Sequence, residues 1–125
     1  MPFHKLDVYR KAYELSLAIH RESLRFPKFE QYELASQVRR STKSICANMA
    51  EGLGRQTSPK EVVKFLRTSL GSCDETRVWL EYARDLKYLD AGAFERLYDG
   101  YCEVGRMLNG LVSSWSSRGG RQGSV

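Results

Sequence analysis

Ser58-Pro59-Lys60-Glu61-Val62-Val63-Lys64-Phe65-Leu66-Arg67 opens the stretch whose reading decides the fold, and the same pattern runs on to Leu86. A serine at a helix start can accept from the free backbone N–H groups of the first turn. Proline is preorganised for the first helical position, and a glutamate three residues after the serine completes a capping box. Beyond it Val62, Leu66, Ser69, Cys73, Thr76, Leu80 and Ala83 alternate spacings of four and three. That period keeps them on one face of a long helix over residues 59–86. The middle of the seam is small (Ser69, Gly71, Ser72, Cys73), so a neighbouring helix can approach closely.

Working outward, three more segments show the same period. Before it, Leu34, Val38, Ile45 and Met49 mark a helix over 32–51, ended by Gly52, which tolerates the left-handed conformation common after helices. Earlier still, Val8, Ala12, Leu15 and Ile19 mark a helix over 7–26, widened by Tyr9, Tyr13 and Leu17 and stopped by Pro27. After it, Asp90 caps a helix over 91–115, in which Phe94, Leu97, Tyr101, Val104, Leu108, Leu111 and Trp115 keep a 3.5-residue period. Residues 116–125 read as a flexible polar tail. No segment alternates with period two. Four long amphipathic helices joined by short loops predict an all-α, antiparallel, up-down-up-down four-helix bundle with left-handed supercoiling, over residues 1–115.

Composition bounds the rest. The chain has 125 residues, 42% of them hydrophobic, which excludes a disordered chain. No run is long and apolar enough to span a membrane, and the opening residues lack a secretory apolar region. Three cysteines, an odd number, suit a reducing compartment better than a disulfide framework. The expectation is a cytoplasmic protein with no membrane partner.

Catalytic signatures are missing. Di-iron bundles need Glu-x-x-His pairs, but the histidines are His4 and His20, and Leu17 stands three before His20. Cys46, Cys73 and Cys102 lie far apart in sequence and read as small hydrophobes, one per helix, not metal ligands. Gly52-Leu53-Gly54 follows a helix instead of a strand and has Thr57 where a dinucleotide fingerprint needs its third glycine. No catalytic residue, metal or cofactor is expected, and the chain reads as a non-enzyme.

Charge is the remaining signal. The net +5 is unevenly spread: residues 1–70 hold 13 Lys+Arg against 7 Asp+Glu, residues 71–125 hold 7 against 8. Arg39, Arg40, Lys43, Arg55, Lys60, Lys64 and Arg67 cluster within 39–67, with only Glu51 and Glu61 against them. Lys60, Lys64 and Arg67 share a helix face by spacing, as do Arg39 and Lys43. Phosphates bind such faces through counterion release, so these seven residues are the candidate RNA or DNA contact. Asn48 and Glu51, near the end of the second helix, read as fixing the following turn through Arg55, with a subunit-contact or ligand site as the alternative. Tyr32 and Trp79 read as packing residues, although either could stack on a base.

The segment Ser44-Ile45-Cys46-Ala47-Asn48-Met49-Ala50-Glu51-Gly52-Leu53-Gly54-Arg55 resembles the S-I-P-x-N-I-A-E-G-x-G-R signature of the 23S rRNA intervening-sequence proteins. The likeness continues through Leu6-x-Val8-Tyr9-x-x-Ala12, Phe65-Leu66, Gly71-Ser72 with Glu75, Leu86-Lys87-Tyr88-Leu89 and Gly105-Arg106-Met107-Leu108-Asn109-Gly110-Leu111. It implies a bacterial or phage-encoded four-helix bundle that assembles as a ring-like homopentamer. It marks Asn48, Glu51, Gly52, Arg55, Gly71, Ser72 and Glu75 as structural motif positions. The resemblance further implies kinship with the accessory variability determinant of diversity-generating retroelements, a basic pentamer that binds nucleic acid and a reverse transcriptase. Two departures stand out: Cys46 replaces the signature's proline, putting a kink in the second helix in doubt, and Cys73 and Arg77 stand where the family often has apolar or acidic residues. The combined expectation is an oligomeric RNA- or DNA-binding accessory protein, with a protein-binding scaffold as the alternative.

Overall fold

The computed structural model describes residues 2–123, with side chains to Gly119. It contains four α-helices, α1 (Asp7–Ser23), α2 (Leu34–Arg55), α3 (Pro59–Asp85) and α4 (Ala91–Gly123), plus single 3-10 turns at Phe3–Lys5 and Lys28–Glu30. No strand occurs among the described residues. Each helix packs on its two sequence neighbours and α4 closes back on α1, so α1 and α3 stand on one diagonal and α2 and α4 on the other. Along the α2–α3 and α3–α4 seams the register is antiparallel. Ser41 meets Thr76 while Ile45 meets Ser69, and Arg84 meets Phe94 while Cys73 meets Tyr101.

The seam of α2 with α3 is unusually polar and close. The hydroxyls of Ser44 and Ser72, and those of Thr76 and Ser41, are each 2.8 Å apart, and Ser69 donates to the Ile45 carbonyl at 2.8 Å. Such bonds add about 0.5–1.5 kcal/mol each where the groups are buried and would otherwise go unpaired. Around the seam, Ile45, Met49, Val62, Leu66, Leu80, Tyr101, Val104 and Leu108 are sealed from solvent. Tyr101 brings its hydroxyl into this core with no hydrogen-bond partner among the described residues, and burial pushes its ionisation far up.

Local chemistry explains the helix ends and corrects four boundaries. Ser58 accepts from the Glu61 N–H at 3.1 Å, and Asp90 accepts from the Ala93 N–H at 2.8 Å, as expected of caps. Helix α1 stops at Ser23, three residues short of the expected Phe26, because tight turns from Glu22 and Ser23 swing Phe26 into the core against Tyr88. Helix α2 begins at Leu34 instead of residue 32, after the 3-10 turn Lys28–Glu30. It passes uninterrupted through Cys46 and Gly52, and ends only at Gln56, which takes φ 48°. Gly52 therefore serves the crossing and not the stop. A Cβ there would lie 2.7 Å from the Phe65 Cβ and 3.4 Å from the Val62 carbonyl oxygen. Helix α4 runs on to Gly123, past the expected tail boundary after Trp115. Its extension packs on the start of α3, where Gly119 faces Pro59 and Arg118 stacks over Trp115. The last two tail residues, Ser124 and Val125, lie outside the described residues.

The Gly52→Ala variant is expected to lose about 1–3 kcal/mol, because a Phe65 Cβ cannot rotate away from the added methyl. Gly110→Ala, at a helical position with open space, is expected to gain roughly 0.5–1 kcal/mol. Urea midpoints compared with the parent check both, and equal shifts would contradict the packing.

Candidate nucleic-acid interface

Helix α3 turns its apolar seam inward, so the residues half a turn away face water. Lys60, Lys64 and Arg67 all do so, and no ion pair among the described residues engages them. The Lys64 ammonium lies 5.6 Å from the Phe65 ring centre, which holds the charge above the helix surface. Lys60 borders a cleft of about 340 Å³ with Val63, Trp115 and Gly119. The Ser58 cap stands just before it, with the positive end of the helix dipole beside the cations. Three exposed cations on one helix, with no ion pair among the described residues, form the core of the candidate basic face.

The second-helix candidates divide. Arg40 and Lys43 are exposed, and no ion pair among the described residues engages them. Arg55 is exposed but pairs with Glu51 at 2.8 Å, across one helical turn, which fixes the end of α2. Arg39 does not belong to the patch. Its guanidinium donates to Ser23 Oγ at 2.8 Å and to the Gln31 carbonyl at 3.0 Å, clasping the α1–α2 connection onto α2. Gln31 in turn donates to the carbonyls of Ser23 and Phe26. Sequence spacing puts Arg39 and Lys43 on one face, but only the fold brings the Ser23–Gln31 loop over one of them.

Three of the motif residues, Asn48, Gly52 and Ser72, serve the α2–α3 seam. Asn48 donates to the Ser44 carbonyl at 2.9 Å and to Ser44 Oγ at 3.1 Å, and so orients the hydroxyl that meets Ser72. Glu75 accepts from the Trp79 indole at 3.0 Å. Gly71 stands apart from them: among the described residues nothing lies within 4 Å of a Cβ built there. Tyr32, expected to pack, is 92% exposed. It lines an open cleft of about 410 Å³ with Glu33, Trp79, Tyr82 and Leu86.

The cysteines sit apart from the basic face. Cys46 and Cys73 are buried in the core, and burial pushes both thiols up to about 11, with Arg77 pulling Cys73 slightly back. Cys102 is partly open beside Arg77. Among the described residues no cluster of His, Cys, Asp and Glu is arranged to hold a metal ion. No helix among them is long and apolar enough to cross a membrane.

Arg39→Ala is expected to cost about 1–3 kcal/mol in urea denaturation, since it orphans buried acceptors, and to leave polyanion affinity unchanged. Lys64→Glu is expected to do the reverse, and binding loss in the arginine variant alone would return Arg39 to the patch. Thiol titration near pH 8 is expected to find one fast-reacting cysteine in the folded chain and three in urea. Folded Cys46 and Cys73 ionise above their unfolded value, so their contribution to stability is whole below about pH 9 and is lost as pH rises toward 11. A flat stability profile across that window would contradict the burial.

Comparison with known proteins agrees with this architecture. No curated protein matches the chain. A solved structure from Bacteroides thetaiotaomicron, described as a protein of unknown function from the S23 ribosomal protein family, superposes with a TM-score of 0.78. It shares 22% identity over 85% of this chain and 95% of that one, and so shares the fold. The family model described as 23S rRNA-intervening sequence protein matches residues 4–110, which take in the Ser44–Arg55 signature, the α2–α3 seam and most of α4. The chain belongs to the 23S rRNA-intervening sequence protein family.

Proposed function

We propose that this protein is an oligomeric accessory factor that binds RNA or DNA and works by binding, not by catalysis. The observation that carries the reading is the cationic face of α3, formed by exposed Lys60, Lys64 and Arg67, which no ion pair among the described residues engages; Arg40 and Lys43 are also exposed, on α2. A helix presents such charges at fixed separations of one turn, about 5–6 Å, close to the spacing of phosphates along a strand. The contact is one of charge and shape. It involves no recognition helix, RNP sequence or zinc finger, so affinity for structured RNA should depend on salt more than on sequence.

A second reading, a scaffold for another protein such as a reverse transcriptase, draws on a different observation. Large apolar side chains stand exposed on α1 and α3, away from the lysines.

Fluorescence anisotropy with a labelled RNA hairpin at about 50 mM salt tests the first reading. The triple variant Lys60→Glu, Lys64→Glu, Arg67→Glu is expected to bind at least roughly tenfold more weakly. The slope of log affinity against log salt is expected to flatten by about 0.7–0.9 for each phosphate that is no longer neutralised. Parent-like affinity in the triple variant, or no binding by the parent protein, overturns the assignment.

A further inference from the structure

The groove between α3 and α4 carries an aromatic residue that neither the α2–α3 seam nor the basic face accounts for. Trp115 stands half-buried near the end of α4, and with Pro59, Lys60, Val63, Ser116 and Gly119 it lines an open cleft of about 340 Å³. The Arg118 guanidinium lies 4.1 Å from its ring centre, so one face of the indole already carries a flat cationic group. Arg118 is exposed, as is Lys60, and no ion pair among the described residues engages either. Trp115 and Arg118 lie past residue 110, where the match to the family model ends.

Charge and packing around the cleft favour one kind of occupant. Across residues 59–73 of α3 and 104–119 of α4 the only acid is Glu61, against Lys60, Lys64, Arg67, Arg106 and Arg118. Glu61 stands four residues before Phe65, on the flank of α3 that meets Gly52 of α2, whereas Val63 stands on the flank that meets Trp115. The acid therefore belongs to the other side of the helix. A lysine beside an indole, with no acid between them, suits a group that is anionic at one end and flat and apolar at the other. A nucleotide of a single strand is such a group. In a duplex the bases are stacked on one another, and their faces are closed to a side chain.

We propose that the cleft between Trp115 and Lys60 takes one unpaired nucleotide of a single-stranded RNA or DNA, its base stacked on the indole and its phosphate beside Lys60. Such a site rests on the polyanion contact proposed above and adds the strand form it takes. Stacking of a base on tryptophan is stronger than the exposed contact of a guanidinium with the same ring, so the base displaces Arg118, which then meets a neighbouring phosphate. Every base has a flat face, so the site reads strandedness and not sequence. Lys64 and Arg67 follow Lys60 at successive turns of α3 and receive the next phosphates.

Two probes of equal length and charge test the site by anisotropy at about 50 mM salt, a labelled oligothymidylate and an abasic deoxyribose-phosphate oligomer. The parent is expected to bind the oligothymidylate at least roughly tenfold more tightly, since only that probe can stack. Trp115→Leu is expected to bind both alike and Trp115→Phe to recover the preference, with circular dichroism verifying helix content. A second measurement leaves Trp115 in place. The chain has two tryptophans, so Trp79→Phe makes Trp115 the only indole, and oligothymidylate is expected to quench its emission while the abasic oligomer does not. Oligouridylate is expected to quench as well, because the ring meets the base and not the sugar, and quenching by one sugar type alone overturns that contact. A preference that survives in Trp115→Leu, or emission that no oligonucleotide changes, overturns the stacking site. Equal binding of the two probes by the parent overturns it too and leaves the polyanion contact standing. A parent that binds neither probe overturns the site, and the hairpin measurement decides the polyanion contact separately.

Discussion

The close crossing of α2 and α3 is the constraint on which the rest of the molecule depends. Gly52 admits Phe65 to a distance that no side chain would tolerate, and the seam above it is stitched by Ser41, Ser44, Ser69, Ser72 and Thr76. Small hydroxyl residues do two things at once. They let the backbones approach, and they place polar atoms where each finds a partner, so that burial is not penalised. The Asn48 amide fixes Ser44 from its own helix, which makes a run of small and polar residues into one connected device.

With that pair locked, the outward faces are determined. The side of α3 opposite the seam meets solvent along its length, and it is divided by chemistry. The N-terminal half carries exposed lysine and arginine, the C-terminal half exposed valine, tyrosine and leucine, and between them lies Gly71, against which none of the described residues packs. A rigid helix holds both halves in a fixed relation, which suits a protein whose work is contact and not reaction. Family membership is consistent with this division, because the signature residues Asn48, Gly52 and Ser72 serve the seam and leave the outer face to other tasks.

Much of this is legible from residues alone. The Ser58 and Asp90 caps, the four-three spacing of the α3 seam and the core positions of α4 follow from helix geometry, which is local. The helix ends set by tertiary demand are less legible. Gly52 has the residue type of a helix stop, yet the chain continues as a helix because its missing side chain is needed by Phe65. Trp115 reads as the last core residue, yet α4 extends because Gly119 finds Pro59 of α3 beneath it. On the candidate site, spacing alone puts Lys60, Lys64 and Arg67 on one face, and the fold leaves them there. It cannot do the same for Arg39, since the partners of that residue come from a loop sixteen and eight residues earlier in the chain.

The sequence by itself determined four helices, their inward faces, the excess of positive charge in residues 39–67 and the family. Periodicity, capping and composition are properties of short stretches, and a single chain displays them. Only the tertiary structure decided which apolar residues were left uncovered and which cations stayed unpaired. Tyr13 and Leu17 widen the α1 stripe as convincingly as Tyr9, and Arg39 is as basic as Arg40. Whether a side chain is buried, paired or free depends on what the rest of the fold brings against it, and four helices packed in a square leave each of them one face that no neighbour covers.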